Sequence, residues 1–130
     1  MPSPRPALRV LITDDSPALR ELLRDAMGEV DGVDVVGEAG DGRAALREVQ
    51  RSRPDVLVLD LSMPGMGGVE TLVELQQVPD RPRVIVLTNH ADDVYREACL
   101  TVGADHFFDK SAEIDCVLDV LRALAPSAEA

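Results

Sequence analysis

Residues 8–23 read Leu8-Arg9-Val10-Leu11-Ile12-Thr13-Asp14-Asp15-Ser16-Pro17-Ala18-Leu19-Arg20-Glu21-Leu22-Leu23. The run Leu8–Thr13 is largely apolar at consecutive positions, which suits a strand buried on both faces of a parallel sheet. Two aspartates follow it. Ser16 then stands where a helix N-cap belongs, with Pro17 at the first helical position. Leu19, Leu22, Leu23, Ala26, Met27 and Val30 continue along one helical face. The stretch is one β-α unit: a buried strand, an acidic turn and a capped helix.

The same unit recurs along the chain. Strands are expected over Val33–Gly37, Val56–Asp60, Arg83–Thr88 and Ala104–Asp109. A second helix is capped by Asp41 and carries Ala45, Leu46 and Val49, with Pro54 beyond its end. A third spans Gly68–Gln77 through Val69, Leu72, Val73 and Leu75. A fourth spans Asp92–Val102 and is closed by Gly103. A fifth is capped by Ser111 and presents Ile114, Val117, Leu118, Leu121 and Leu124. Repeated β-α units with right-handed crossovers predict an α/β fold. The specific expectation is a doubly wound, five-stranded parallel sheet of order 2-1-3-4-5 with five helices, flavodoxin-like. A closed eight-unit barrel would need roughly 200 residues or more, and the chain has 130. Residues 1–7 are expected to be a flexible N-terminal arm, 8–124 the folded domain and 125–130 a flexible tail.

Composition narrows the function. The formal charge is −11, a surface that repels phosphate backbones and anionic lipids, so neither direct nucleic-acid binding nor membrane binding is expected. Tyr95, Phe107 and Phe108 are too few for base stacking. Cys99 and Cys116 form no disulfide framework and suit a reducing compartment. No apolar run approaches membrane-spanning length, and the start of the chain has no secretion-signal pattern. A cytoplasmic single domain is expected, as a monomer or weak homodimer.

In open α/β sheets, ligands bind beyond the carboxyl ends of the strands. The first strand ends in Asp14-Asp15, the third in Asp60, the fourth in Thr88 and the fifth runs into Lys110. Each alone has an ordinary explanation as a turn former, strand end or solvated charge. Together they bring three carboxylates to one rim, where they raise each other's pKa unless a cation is held between them. Oxygen-only ligands suit a hard ion such as Mg²⁺, which keeps several waters beside one or two carboxylates. Lys110 at the same rim suggests an anion, with phosphate the natural candidate.

These residues resemble the receiver domains of two-component response regulators. The resemblance runs from Arg9 to Leu124. It is carried by Asp14-Asp15, by Asp60-Leu61-Ser62-Met63-Pro64-Gly65-Met66-Gly67-Gly68, by Leu87-Thr88 and by Phe107-Phe108-Asp109-Lys110. It implies that Asp60 is the phospho-acceptor, taking its phosphoryl group from a sensor histidine kinase or phosphotransfer protein. It implies that Mg²⁺ is held by Asp15 and Asp60, by Asp14 through water and by the Ser62 backbone carbonyl. Lys110 and Thr88 would contact phosphoryl oxygens. Thr88 and Phe107 would form the switch, Thr88 moving toward the phosphoryl group while Phe107 turns inward. That shift would alter the surface of the fourth helix, fifth strand and fifth helix, which binds a downstream target protein or output domain. No enzymatic activity beyond its own phosphorylation and dephosphorylation is implied.

The sequence departs from the family at two places. Proline usually follows the lysine, whereas Ser111 stands here, so the next peptide is either trans with a rebuilt loop or strained. Asn89 follows Thr88 where a small residue is usual, and His90 comes next. Both are expected to tune the dephosphorylation rate.

Other readings fit less well. A flavodoxin would place a phosphate-binding loop where Asp14-Asp15 stands. A Mg²⁺-dependent phosphatase-like hydrolase would have a second Asp where Ser62 stands. A stand-alone regulator is the simplest expectation, and the receiver part of a longer DNA-binding regulator is the alternative.

Overall fold

The computed structural model describes residues 6–126. Strands and helices alternate as β1 (Leu8–Thr13), α1 (Pro17–Gly28), β2 (Val33–Ala39), α2 (Gly42–Ser52), β3 (Val56–Leu59), α3 (Gly68–Leu75), β4 (Arg83–Thr88), α4 (Asp93–Val102), β5 (His106–Asp109) and α5 (Ile114–Leu124). The strands form one parallel sheet of order β2-β1-β3-β4-β5, as the sequence predicts. The expected arm over 1–7 and tail over 125–130 fall largely outside the described residues.

Consecutive apolar residues in the central strands supply both faces. Leu11, Leu57, Leu59, Val84, Val86 and Phe107 pack with Val49, Leu72, Leu75 and Cys99 beneath α2, α3 and α4. Val10, Ile12, Val56, Val58, Ile85 and Leu87 pack with Leu23, Met27, Val117 and Leu121 beneath α1 and α5. Alternate residues point to opposite faces of a strand, so an unbroken apolar run builds two cores at once.

The helix ends are mostly chemical. Ser16, Asp41 and Asp92 each accept a backbone N–H in the first turn of the following helix, from Leu19, Ala44 and Tyr95. Gly103 closes α4 at φ 141°, a conformation that side chains disfavour.

Several expectations are corrected. Strand β2 runs past Gly37 to Ala39, because an irregularity opposite Val10 and Leu11 lets Gly37, Glu38 and Ala39 pair with the end of β1. Helix α3 stops at Leu75, before Gln77; Gln76 and Gln77 turn back on Val73 and Glu74. Strand β5 begins at His106 rather than Ala104. Ser111 does not cap α5, which starts at Ile114 with no side-chain cap bond. Leu22 and Val73, placed on buried helical faces by periodicity, are 53% and 48% exposed, because each helix buries only a narrow stripe against the sheet.

Candidate functional site

The strand ladders continue one residue beyond each strand end. Asp14 N–H donates to the Ala39 carbonyl, Asp60 N–H to the Thr13 carbonyl and Lys110 N–H to the Thr88 carbonyl, at 3.0, 3.1 and 2.9 Å. A ladder-like backbone hydrogen bond therefore anchors each of these residues just past its strand. Strand order then brings them to one rim.

Lys110 Nζ donates to Asp14 Oδ2 at 2.5 Å and lies 3.2 Å from Asp60 Oδ2. Asp14 and Asp60 are buried, 2% and 3% exposed, whereas Asp15 is open to solvent. One carboxylate oxygen from each of Asp14, Asp15 and Asp60 falls within a 4.8 Å cluster. These oxygens fit a hard divalent cation, since no nitrogen or sulfur ligand intrudes and buried carboxylates gain from a neighbouring charge.

The loops shape the carboxylates further. The other Asp14 oxygen accepts the Ser16 N–H at 2.9 Å. Asp60 Oδ1 accepts the Ser62 N–H at 3.3 Å. Gly68 opens α3 directly over this turn, where a side-chain carbon would collide with the Asp60 carbonyl and Leu61. Burial pushes the Asp60 carboxyl above the usual carboxylate range, aided by the Asp14 charge and opposed by Lys110 and the Ser62 N–H. Burial would lower the Lys110 pKa, but its hydrogen bond to Asp14 and the charges of Asp60 and Asp14 outweigh this and raise it.

Thr88 is fully buried, and its hydroxyl oxygen accepts the His90 N–H at 3.0 Å. Asn89 is exposed, and the His90 ring lies 5.8 Å from that of Tyr95. Phe107 is directed inward, 3% exposed, with the Arg96 guanidinium 5.9 Å from its ring centroid. No peptide bond is cis among the described residues, so Lys110–Ser111 is trans.

Two contributors escaped the sequence reading. Arg20 donates to the Asp14 carbonyl at 2.6 Å and to Glu38 Oε1 at 3.0 Å, and Arg24 also pairs with Glu38. This ties the acidic turn to β2. Arg96 covers Phe107 from α4. Neither had a motif to mark it, since a solvent-facing arginine looks the same in sequence whether or not it folds back on the strand ends.

The sequence matches the response regulator receiver domain family over residues 10–122. It is 37% identical over 108 residues to a protein-glutamate methylesterase/protein-glutamine glutaminase of Desulfotalea psychrophila, covering 82% of this chain and 30% of that protein. It is 36% identical over 125 residues to the nitrate/nitrite response regulator NarP of Escherichia coli, covering 95% of this chain and 57% of that protein. The chain thus spans less than two thirds of either relative. Among solved structures, it superposes on the receiver domain of NarL from Mycobacterium tuberculosis with TM-score 0.80 and 33% identity, covering 91% of this chain and 98% of that one. The CheB response regulator domain of Thermotoga maritima gives TM-score 0.84 and 27% identity, covering 90% and 95%. These likenesses do not favour the phosphatase-like alternative. With the fold, the strand-end cluster and these matches in agreement, the chain belongs to the response regulator receiver domain family.

Proposed function

We propose that this chain accepts a phosphoryl group on Asp60 from the phosphohistidine of a sensor kinase or phosphotransfer protein. The reading is carried by the approach of Lys110 Nζ to both Asp14 and Asp60, three residues delivered by three separate strand ends. A bond forms between an Asp60 carboxylate oxygen and phosphorus as the P–N bond breaks, and the donor imidazole leaves with the electron pair. Such transfer depends on positioning and on neutralising charge over the phosphoryl oxygens. Mg²⁺, when bound by Asp15, Asp60, the Ser62 carbonyl and Asp14 through water, would supply part of that neutralisation. Lys110 supplies a fixed positive charge from the other side. The Thr88 hydroxyl uses its oxygen as an acceptor from His90 and keeps its hydrogen free to donate to a phosphoryl oxygen.

Thr88 and Phe107 lie on adjacent, paired strands, so movement of one alters the packing of the other. Phosphorylation then biases the α4–β5–α5 surface between two packings and thereby controls binding of a target protein or output domain. Asn89 and His90, beside Thr88, set the decay rate. No activity other than the domain's own phosphorylation and dephosphorylation is assigned. Among the described residues no helix is long and apolar enough to cross a membrane, and a cytoplasmic location follows from partnership with a kinase.

The test is intact mass after incubation with Mg²⁺ and either a cognate kinase or phosphoramidate. Wild type gains one phosphoryl group that decays with time, and Asp60→Asn gains none. An unchanged gain in Asp60→Asn would remove Asp60 as the acceptor.

A further inference from the structure

Lys110 is the single lysine of the chain; every other Lys/Arg cation is arginine. Its side chain is 12% exposed and reaches Asp14 and Asp60 from a turn between β5 and α5. A four-carbon stem is flexible, so the amine stays at the rim only if the main chain at residue 110 is fixed. Proline cannot do this here, because residue 111 is serine.

We infer that Asp109 and Ser111 are positioning residues, forming a side-chain clasp that fixes Lys110 for the phosphoryl group. Asp109 Oδ1 accepts both the Ser111 N–H at 2.9 Å and the Ser111 hydroxyl at 2.7 Å, across the lysine. On the other side, Asp109 N–H donates to Glu113 Oε1 at 3.0 Å. The Asp109 carbonyl accepts the Ala112 and Glu113 N–H groups at 3.2 and 2.7 Å, and Lys110 N–H is bound to Thr88. The residues flanking Lys110 are therefore bound to each other, while the lysine is tied to β4. The clasp also explains why Ser111 does not cap α5: its hydroxyl is already engaged by Asp109. The bonds require an N–H at residue 111 and an acceptor at 109, and require no charge on that acceptor.

The inference rests on Asp60 being the phosphoryl acceptor, and the experiment separates the two. Wild type, Asp109→Ala, Asp109→Asn and Ser111→Ala are phosphorylated with phosphoramidate and Mg²⁺ and followed by intact mass. In parallel, ¹⁵N-lysine labelling gives one ammonium signal, which reports whether Lys110 Nζ is held or exchanging freely with water. Asp109→Ala is expected to slow phosphorylation at least about fivefold, since small misplacements of a positioned group cost heavily, and to broaden the ammonium signal. Asp109→Asn keeps the acceptor and restores both to within about twofold of wild type, because the hydrogen bonds do not need the charge. Ser111→Ala keeps one of the two bonds and falls between them. Wild-type rate and signal in Asp109→Ala, or failure of Asp109→Asn to rescue, overturns the clasp. If Asp109→Ala does not fold by circular dichroism, Ser111→Ala decides, and an unchanged rate and signal there overturns it. Absence of phosphorylation in wild type with both phosphoramidate and a cognate kinase overturns the acceptor reading instead, while the ammonium signal still tests the clasp.

Discussion

Asp60 holds a charge where burial penalises it, and its stability signature follows from that. Its folded pKa is raised, so the folded state binds a proton more readily than the unfolded state. Stability from this group therefore falls as pH rises from the unfolded carboxylate range through the raised folded value, and stays lost above it. Asp60→Asn lacks this dependence. In metal-free buffer at pH 7 its Tm is expected to exceed that of wild type, with the gap closing as pH falls below the ordinary aspartate range; parallel curves in thermal melts across pH would contradict the assignment. Thr13 offers a second case at this scale. Its hydroxyl is buried without a hydrogen-bond partner among the described residues. Thr13→Val keeps the shape and removes the unsatisfied group, so urea denaturation is expected to show a gain of about 1 kcal/mol. Single residues also show what was readable in the chain. Asp14, Asp15, Asp60, Thr88 and Lys110 could be named because each ends an apolar run. Arg20 and Arg96 could not, because their partners are a backbone carbonyl and a ring on other elements.

At the scale of elements, the caps and the α3 entry make separable predictions. Asp41 accepts the Ala44 N–H at 2.8 Å, and Asp41→Ala should cost about 1 kcal/mol of stability without altering phosphorylation of Asp60. A loss of phosphorylation at unchanged stability would mean that Asp41 does more than cap. Gly68 is different, since its backbone lies against the Asp60 carbonyl. Gly68→Ala should lower Tm and slow phosphorylation together, because the added carbon displaces the turn that carries the acceptor. Thermal melts and intact mass on one preparation check both. Strand and helix identities were legible from periodicity and caps, but their ends were less so. The extension of β2 to Ala39 depends on pairing with β1, and the late start of α5 follows a turn in which the Ala112 and Glu113 N–H groups bind the Asp109 carbonyl. Both are contacts with residues outside the element concerned.

For the whole molecule, the excess of acidic charge and the clustered carboxylates predict a fold sensitive to divalent cations. Anything bound only by the folded state stabilises it by mass action, about 2.7 kcal/mol at a hundredfold excess over Kd. Mg²⁺ is therefore expected to raise Tm in scanning calorimetry, EDTA to reverse the rise and Asp15→Asn to abolish most of it; an equal rise in Asp15→Asn would exclude Asp15 as a ligand. Apolar runs alternating with helical patterns dictated a covered parallel sheet, because consecutive buried residues need both faces covered, and five such units suit the order that the fold shows. The same pattern dictated which side chains reach the carboxyl rim, since strand ends are set by where the apolar runs stop. What only the folded chain decided is how those side chains are held: the Arg20 tie to the acidic turn, the inward Phe107 under Arg96, and the Asp109–Ser111 bonds beside Lys110. These depend on angstrom-scale distances between polar groups, many of them on different elements, and such distances leave no periodic trace in the order of residues.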